Sequence, residues 1–487
     1  MHERTGVDGQ PYAIRFHLRM PAGWNGKFFM QGGGGTNGDL GDAIGRLGGG
    51  ALPALAQHYA VMSQDSGHDN AVNTIPAKGG ASAFGLDPQA RADYGGASLR
   101  PSVEAAKNVV STFYGRAPRT SYFVGCSKGG QEGMMLATRY PDLFDGIVAA
   151  APGFALPRAA VAEAWDTQAV AAIVRAGGLP VTLASLAETF STADAGLITK
   201  AVLAACDGLD GAADGIVADF TRCTDERVLP ELARITCDAT KREGCLSPAQ
   251  VAALRRIHDG ARDSHGRPLY ASFFWDAGWG DTGWRVWKVG AGPVPSINVA
   301  MGSPSLGAVF TVPPTPLPDA DQAKLDFQLH FDFDRDAAKI YASSAAFPRS
   351  AWADIGARSA DLAAFRARGG RLIVPHGVSD PIFSLKDTID WYHEVDRSNG
   401  GQAANFVRLF PVPGMGHCQG GPATDGYDSF AALVQWVEAG HAPAQLVASA
   451  GAMSPWPGRT RPVCAFPKVA RYNGTGNVED ATSFTCS

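Results

Sequence analysis

The residues best suited to covalent chemistry lie in the segment 125–129, Gly-Cys-Ser-Lys-Gly, which fits the pattern G-x-S-x-G. The segment follows a strand-forming run, 121–124, and precedes a glycine-rich helical pattern. In this strand–turn–helix setting the pattern is typical of a nucleophile elbow, in which a sharp turn exposes a serine hydroxyl. We therefore predict that Ser127 is a nucleophile rather than part of a structural glycine-rich turn.

A serine nucleophile needs a base to take its proton and a carboxylate to orient that base, in the chain order Ser, Asp, His. The strand pattern 372–377 ends just before Asp380, which we predict as the acid. The next strand pattern, 406–412, leads to His417, which we predict as the base. His376 is the rival base, but it precedes the acid and lies at the end of a strand.

A glycine-rich run, 32–35, ends an early strand pattern and predicts an oxyanion hole. Such a loop lets backbone N–H groups approach a carbonyl oxygen, and we predict Gly34 and Lys128 as the donors. A phosphate loop is the alternative, but no G-K-[ST] follows and no G-x-G-x-x-G opens a helix. The Lys128 side chain could meet an anionic substrate, although we expect it on the solvated surface.

The chain has eight cysteines and no C-x-x-C pair. Pairing sequence neighbours gives three local loops and leaves two cysteines that flank the predicted nucleophile and base. A disulfide holds two Cα atoms within about 4.4–6.8 Å, so the last pair would join the two catalytic loops. The expected pairs are Cys206–Cys223, Cys237–Cys245, Cys464–Cys486 and Cys126–Cys418.

Disulfides indicate an oxidising compartment, either secreted or periplasmic. The alternative is a cytosolic protein with eight reduced thiols. The segment Met1–Arg4 leads directly into polar sequence, without the apolar stretch of an export signal. We therefore expect that the signal is missing here and that the N-terminus is truncated.

Composition excludes several classes of protein. The 487 residues include 42 Lys and Arg against 47 Asp and Glu, and 45% of them are hydrophobic, so the chain is globular rather than disordered. It has no basic block to bind nucleic acid and no apolar run long enough to span a membrane. Its oligomeric state does not follow from these numbers.

The alternation of strands and helices predicts an α/β fold in two parts, residues 1–153 and 348–487. Between them, residues 154–347 lose this alternation and contain four cysteines, several tryptophans and proline-rich turns. We predict that this stretch is an inserted lid domain. The early strand patterns are 12–21, 27–31, 59–64, 121–125 and 146–152.

Four segments resemble the tannase/feruloyl esterase family, and the resemblance extends over nearly the whole chain. They are 122–130 around the nucleophile, 139–149, 414–418 around the base, and the tail 464–486. The resemblance implies an α/β-hydrolase fold with a large lid and the triad Ser127, Asp380 and His417. It also supports all four disulfides and implies an upstream signal peptide.

The same resemblance implies a structural calcium site in the lid, at the acidic loop 206–216. It assigns as ligands the side chains of Asp207, Asp210 and Asp214 and the carbonyls of Ala212 and Ile216. Ca²⁺ prefers such oxygen ligands, but the spacing is not that of an EF-hand. Without the resemblance, a solvated acidic turn would be an equal interpretation.

The predicted substrates are aromatic acid esters, such as feruloyl or galloyl esters, hydrolysed through an acyl-enzyme. We expect Trp284, Trp287 and Phe310 to contact the aromatic group. Hydrolysis of a mono(2-hydroxyethyl) terephthalate-type ester is the alternative. In the family it relies on a lid arginine, whereas residues 296–303 contain none and only Arg285 lies nearby.

Two other classes of function share this fold. One is a non-catalytic calcium-dependent binding protein, and the other is an acyltransferase that uses the same triad. The triad argues against the first class, and analysis of products formed with added alcohols separates the second.

Overall fold

The fold is described from a computed structural model that covers residues 1–46, 52–238, 240–452 and 454–487. Its strands are β1 (Arg4–Thr5), β2 (Pro11–Tyr12), β3 (Phe16–Arg19), β4 (Lys27–Gln31), β5 (Ala60–Gln64), β6 (Thr120–Ser127), β7 (Gly146–Pro152), β8 (Gly290–Ala291), β9 (Val294–Pro295), β10 (Arg371–Gly377), β11 (Val407–Val412), β12 (Gln445–Ser449), β13 (Thr460–Cys464), β14 (Ala470–Tyr472) and β15 (Phe484–Cys486).

The helices are α1 (Asn70–Asn73), α2 (Pro88–Ala92), α3 (Leu99–Tyr114), α4 (Lys128–Arg139), α5 (Leu156–Ala176), α6 (Leu183–Ala187), α7 (Thr192–Cys206), α8 (Asp225–Arg234), α9 (Pro248–His258), α10 (Thr282–Lys288), α11 (Asp321–Leu329), α12 (Ala351–Ile355), α13 (Ala363–Ala367), α14 (Leu385–Ser398) and α15 (Ser429–Ala439). Short 3₁₀ and π turns lie between several of them.

A seven-stranded sheet in the order β11-β10-β7-β6-β4-β5-β3 forms the centre of the molecule. Every neighbouring pair is parallel except β3 and β5 at one edge. The inner strands are apolar on both faces, as parallel strands covered by helices must be. The carboxyl ends of β6, β10 and β11 therefore lie at one edge, where ligands bind in open α/β sheets.

The predicted strand 12–21 is wrong as a single element. It divides into β2 and the antiparallel edge strand β3. Between them, the Ile14 N–H donates to the Met1 carbonyl and the Arg15 N–H donates to the Asp65 carboxylate. These bonds take the backbone out of the sheet, so its hydrophobic pattern alone did not reveal the break.

The stretch between β7 and β10 adds no strand to the central sheet among its described residues. It consists mainly of helices, with the small antiparallel pair of β8 and β9. Because β7 and β10 are direct neighbours, this stretch leaves and re-enters the sheet at one point. The domain boundaries at residues 153 and 347 stay a prediction.

Helix α4 lies unusually close to the sheet because three of its first six residues are glycines. A Cβ on Gly130 would lie 2.5 Å from the Ala150 carbonyl oxygen, and one on Gly129 would lie 2.7 Å from the Gly33 carbonyl oxygen. Larger residues would move the start of the helix away from β6. None of the helices described is long and apolar enough to cross a membrane.

Candidate active site

Ser127 ends β6 in a strained conformation. Its φ of 64° and ψ of −120° lie outside the regions that residues with a side chain normally adopt. Strain of this kind persists only where the surroundings fix it, here β6 on one side and α4 on the other. The turn has the geometry of a nucleophile elbow, and Ser127 lines a narrow cavity.

His417 and Asp380 lie together at the carboxyl edge of the sheet. Nδ1 of His417 is 2.8 Å from Oδ2 of Asp380. The other carboxylate oxygen of Asp380 accepts backbone N–H bonds from Ile382 and Phe383. Burial alone would raise the pKa of Asp380, but the charge of His417 and its hydrogen bonds hold that pKa far below its ordinary value.

His376 has a different environment from the predicted base. Its side chain is fully buried, with Nδ1 3.0 Å from the Thr388 hydroxyl and Nε2 2.9 Å from the Phe383 carbonyl oxygen. Its Nε2 also lies 3.5 Å from Asp380. Because both ring nitrogens have partners, His376 supports the acid and is not suited to exchange protons with a substrate.

A disulfide connects the two catalytic loops. Cys126 and Cys418 are bonded, with their Cα atoms 6.1 Å apart, although 292 residues separate them in sequence. The bond therefore joins the residue before Ser127 to the residue after His417. All four expected pairs are present, which confirms that prediction; the other three are Cys206–Cys223, Cys237–Cys245 and Cys464–Cys486.

Asp276, which the sequence analysis did not identify, holds the acid and base loops together. Its buried carboxylate accepts a hydrogen bond from the Ser379 hydroxyl at 2.7 Å and one from the Gly414 N–H at 2.6 Å. Burial raises the pKa of Asp276 to about 6, although these bonds oppose the rise. Asp276 lies far from both loops in sequence, and no local pattern could have indicated it.

Glu132, on the second turn of α4, is another buried carboxylate that the sequence analysis missed. It accepts hydrogen bonds from the Gly33 N–H at 3.0 Å and from the Asn37 amide at 2.8 Å. Lys128 is 3.2 Å away and equally buried. The expectation that Lys128 lies on the solvated surface is therefore wrong: its ammonium group pairs with Glu132 over the ring of Tyr94.

The glycine-rich loop presents backbone N–H groups beside the elbow. Gly32 donates to the Val124 carbonyl and Gly33 to Glu132, so neither is available to a substrate. Gly34 donates to no described residue, and Lys128 is the first residue of α4, where N–H groups have no helical acceptor. Gly35, rather than Gly34, lines the cavity. The choice of Gly34 stays a prediction.

Aromatic rings surround the cavity that Ser127 lines. Trp287 and Phe383 both line it and both meet the His417 ring edge-on, with centroids 5.5 and 5.2 Å away. Phe310 lines it as well. The prediction for Trp284 is wrong, because its ring is buried between Phe190 and Trp279 and does not line this cavity.

The acidic loop contains the oxygen ligands that a cation site needs, but these oxygens do not point to one common position. Burial, with the charges of Asp214 and Asp207, raises the pKa of Asp210 to about 7, and Asp210 has no basic partner among the described residues. Asp214 is paired with Arg461. The oxygens of the three carboxylates do not all lie within 4.8 Å of one another. Hard cations suit such donors, and Ala212 and Ile216 lie in the same loop.

The family described as tannase and feruloyl esterase matches residues 2–487. The chain belongs to this family. It is 45% identical over 512 residues to the mono(2-hydroxyethyl) terephthalate hydrolase of Piscinibacter sakaiensis, and the alignment covers 100% of this chain and 83% of that protein. The family predicted from the motifs is thus confirmed, and the protein is a carboxylic ester hydrolase.

Two crystal structures show the same fold. An esterase from Aspergillus oryzae superposes with a TM-score of 0.78 at 23% identity, over 100% of this chain and 89% of that one. Feruloyl esterase B from Aspergillus oryzae gives a TM-score of 0.76 at 23% identity, with the same coverage. The α/β-hydrolase fold expected from the sequence is confirmed.

Proposed function

We propose that this esterase hydrolyses aromatic acid esters through an acyl-enzyme on Ser127. The observation that carries the proposal is the disulfide between Cys126 and Cys418, because it fixes the elbow beside the loop of His417. The hydrogen bond from His417 to Asp380 supports the same assignment. Together they give a nucleophile, a base and an orienting acid in the order that the fold requires.

In the acylation step, the Ser127 hydroxyl attacks the ester carbonyl while His417 takes its proton. Asp380 stabilises the imidazolium that forms and remains ionised, as its low pKa requires. The negative charge on the carbonyl oxygen is stabilised by the backbone N–H groups of Gly34 and Lys128. His417 then protonates the leaving alcohol, and the acyl group stays on Ser127.

In the second step, His417 removes a proton from water, and the resulting nucleophile attacks the acyl-enzyme. The tetrahedral intermediate uses the same two N–H groups, and His417 returns the proton to Ser127 as the acid leaves. Trp287 and Phe383 lie against the imidazole and keep bulk water away from its edges.

The lining of this cavity favours an aromatic acyl group. Trp287, Phe310 and Phe383 line the cavity together with Ser127, and Leu156 adds an aliphatic side chain to its lining. Stacked and edge-on ring contacts are worth about 0.5–1.5 kcal/mol each beyond the area they bury. Phenolic acid esters, such as feruloyl or galloyl esters, are the proposed class of substrate.

A terephthalate monoester is the second candidate substrate. The 45% identity to a mono(2-hydroxyethyl) terephthalate hydrolase favours it. Against it, residues 296–303 contain no arginine. Arg285 does not line the cavity, and its guanidinium donates to the Thr192 hydroxyl. The phenolic esters therefore stay the first choice.

The test is a substrate panel with purified protein. Methyl ferulate, methyl gallate and mono(2-hydroxyethyl) terephthalate are compared by kcat/KM, with Ser127→Ala as the control. We expect hydrolysis that depends on Ser127, fastest with a phenolic ester. A release burst with a p-nitrophenyl ester would report the acyl-enzyme, and its absence would favour a binding protein. Ester products formed with added alcohols would indicate an acyltransferase.

We also propose a structural Ca²⁺ in the loop closed by Cys206 and Cys223. The side chains of Asp207, Asp210 and Asp214 would hold it, with the carbonyls of Ala212 and Ile216. When bound, the ion neutralises the carboxylates and fixes the loop, and it takes no part in ester hydrolysis. The four disulfides support a secreted or periplasmic location.

A further inference from the structure

A buried carboxyl group, Glu163, lies in the wall of the cavity that also contains Ser127. Glu163 is on α5, the residue is only 8% exposed, and it lines the cavity together with Ala159 and Ala160. It makes no hydrogen bond and no ion pair with any residue that the structure describes. A carboxyl group buried without a partner is unusual, because its desolvation is not compensated.

A glycine next to Glu163 makes room for its carboxyl group. Gly302 faces Glu163, and a Cβ at position 302 would lie 1.9 Å from Oε2 of Glu163. Any residue larger than glycine would therefore displace the carboxyl group. The combination of an unpartnered acid and a glycine that accommodates it indicates a place reserved for a polar group of a ligand.

The charges around Glu163 are already engaged elsewhere. Lys288 on α10 pairs with Asp166, one turn along α5. Two other polar residues line the same cavity: Tyr94 donates to the Gly35 carbonyl, and Lys128 pairs with Glu132. Burial raises the pKa of Glu163 to about 8; Asp166 adds to the rise and Lys288 opposes it. At neutral pH the carboxyl group is therefore mostly protonated.

We propose that Glu163 is a specificity-determining residue that binds the polar substituent of the aromatic acyl group. This inference rests on the proposed function, since it requires the acyl group to occupy this cavity. In its uncharged form the carboxyl group both donates and accepts a hydrogen bond. It therefore accommodates a neutral hydroxyl or amide, and it also accommodates a carboxylate by donating its proton in a hydrogen bond.

Ionisation of Glu163 removes the donor and adds a negative charge. A neutral substituent with an N–H or O–H still binds, because a carboxylate accepts hydrogen bonds. An anionic substituent is then rejected, since two like charges would lie together in a narrow cavity lined largely by apolar side chains. The enzyme would thus lose anionic aromatic esters, and not neutral ones, as the pH rises.

A matched pair of substrates isolates this effect. Monomethyl terephthalate carries a carboxylate, and methyl 4-carbamoylbenzoate carries a neutral amide of similar shape at the same position. The ratio of their kcat/KM values cancels the titration of His417 and any loss of folded enzyme. If Glu163 titrates near pH 8, the ratio falls about tenfold between pH 7 and pH 9.

Glu163→Gln is the corresponding variant, because its amide keeps a donor and has no charge. We expect its ratio to stay constant over the same range. Glu188→Gln, an exposed glutamate near α6, is the control and should behave like the native enzyme. If Glu163→Gln fails to fold, the pH dependence of the kcat/KM ratio in the native enzyme still tests the proposal.

The outcomes separate the two proposals. Ser127-dependent hydrolysis of both esters with a pH-independent native ratio would overturn the role of Glu163 and leave the esterase function intact. A falling ratio that persists unchanged in Glu163→Gln would also overturn it, since another group would then be responsible. Hydrolysis of methyl ferulate but of neither matched ester would overturn the role of Glu163 and leave the esterase function intact. Hydrolysis of none of the three esters, or hydrolysis that survives Ser127→Ala, would overturn the proposed function and this role with it.

Discussion

At the scale of single residues, three buried carboxyl groups organise the site without belonging to the triad. Asp276 joins the acid and base loops, Glu132 joins α4 to the glycine-rich loop, and Glu163 faces the acyl cavity. Each lies at a position where the sequence gives no sign of burial. Their partners are distant in sequence, so only the folded chain shows which acids are internal.

Replacing Asp276 by Ala should reduce kcat more than it changes KM. The change leaves the Ser379 hydroxyl and the Gly414 N–H unpaired, at about 1–3 kcal/mol for each group, and it loosens the loops of Asp380 and His417. We expect a loss in kcat of about ten- to a hundredfold, with partial rescue by Asp276→Asn, whose amide oxygen still accepts a bond. Steady-state kinetics would measure both constants, and equal losses in the two variants would contradict this account.

Removing one member of the Lys128–Glu132 pair should destabilise the fold. Lys128→Met leaves the Glu132 carboxylate buried without its counter-charge, which typically costs about 3–5 kcal/mol. The double variant Lys128→Met with Glu132→Gln should recover part of that loss. Urea denaturation measures the free energy of unfolding of each variant. The control is Glu104→Gln, in an exposed pair with Arg100, which should change that free energy by less than about 1 kcal/mol. A Lys128→Met variant as stable as native would refute the pairing.

At the scale of elements, the site depends on where strands end. The runs at β4, β6, β7, β10 and β11 were predictable because buried parallel strands are short, apolar and bounded by turn residues. The elbow and the order of the triad followed from those ends. The N-terminal edge was not predictable, because the break before β3 depends on a hydrogen bond to Asp65. The burial of Lys128 was not predictable either. Its ionic partner lies in the same helix, but the ring that lies against its ammonium group belongs to Tyr94, which is distant in sequence.

The disulfide between the elbow and the base loop should matter more than a local one. Closing a loop of 292 residues is worth about 6 kcal/mol in chain-entropy models, against about 2–3 kcal/mol for the Cys237–Cys245 loop. We expect Cys126→Ser with Cys418→Ser to lower both the melting temperature and kcat. The double serine variant at 237 and 245 should lower the melting temperature less and leave kcat unchanged. Equal effects on kcat would count against the catalytic importance of the long-range bond.

The acidic loop should respond to calcium in a pH-dependent way. Its carboxylates must lose their protons to bind a cation, and Asp210 does so only near pH 7 without one. The melting temperature in Ca²⁺ minus that in EDTA should therefore be larger at pH 8 than at pH 5. Asp210→Asn should reduce the difference. Glu243→Gln, an exposed glutamate outside this loop, should not. A difference of zero at pH 8 would exclude the site.

At the scale of the whole molecule, stability should fall as the pH rises from about 6 to 8. Glu163 has a raised pKa, so in this range the folded protein holds a proton that the unfolded chain has released. Its part of the stability is complete at low pH and is lost as the pH passes 8. Asp380, whose pKa is lowered, acts oppositely and only in acid. The test measures the free energy of unfolding at pH 6 and at pH 8, at fixed Ca²⁺. The difference between these two values should be about 2 kcal/mol smaller in Glu163→Gln than in the native enzyme. An equal difference in the variant and the native enzyme would refute the contribution of Glu163.

The adjacency of β7 and β10 has a consequence for engineering. The helical stretch between them begins and ends at neighbouring strands of a continuous sheet. We therefore expect that exchanging it for the corresponding stretch of a relative would leave the strand register unaltered. A transplanted cassette must bring its own counterpart of Asp276, because that carboxylate reaches from the grafted part into the recipient's acid and base loops. A chimera that lacks it would inherit a new pocket and a poorly aligned triad.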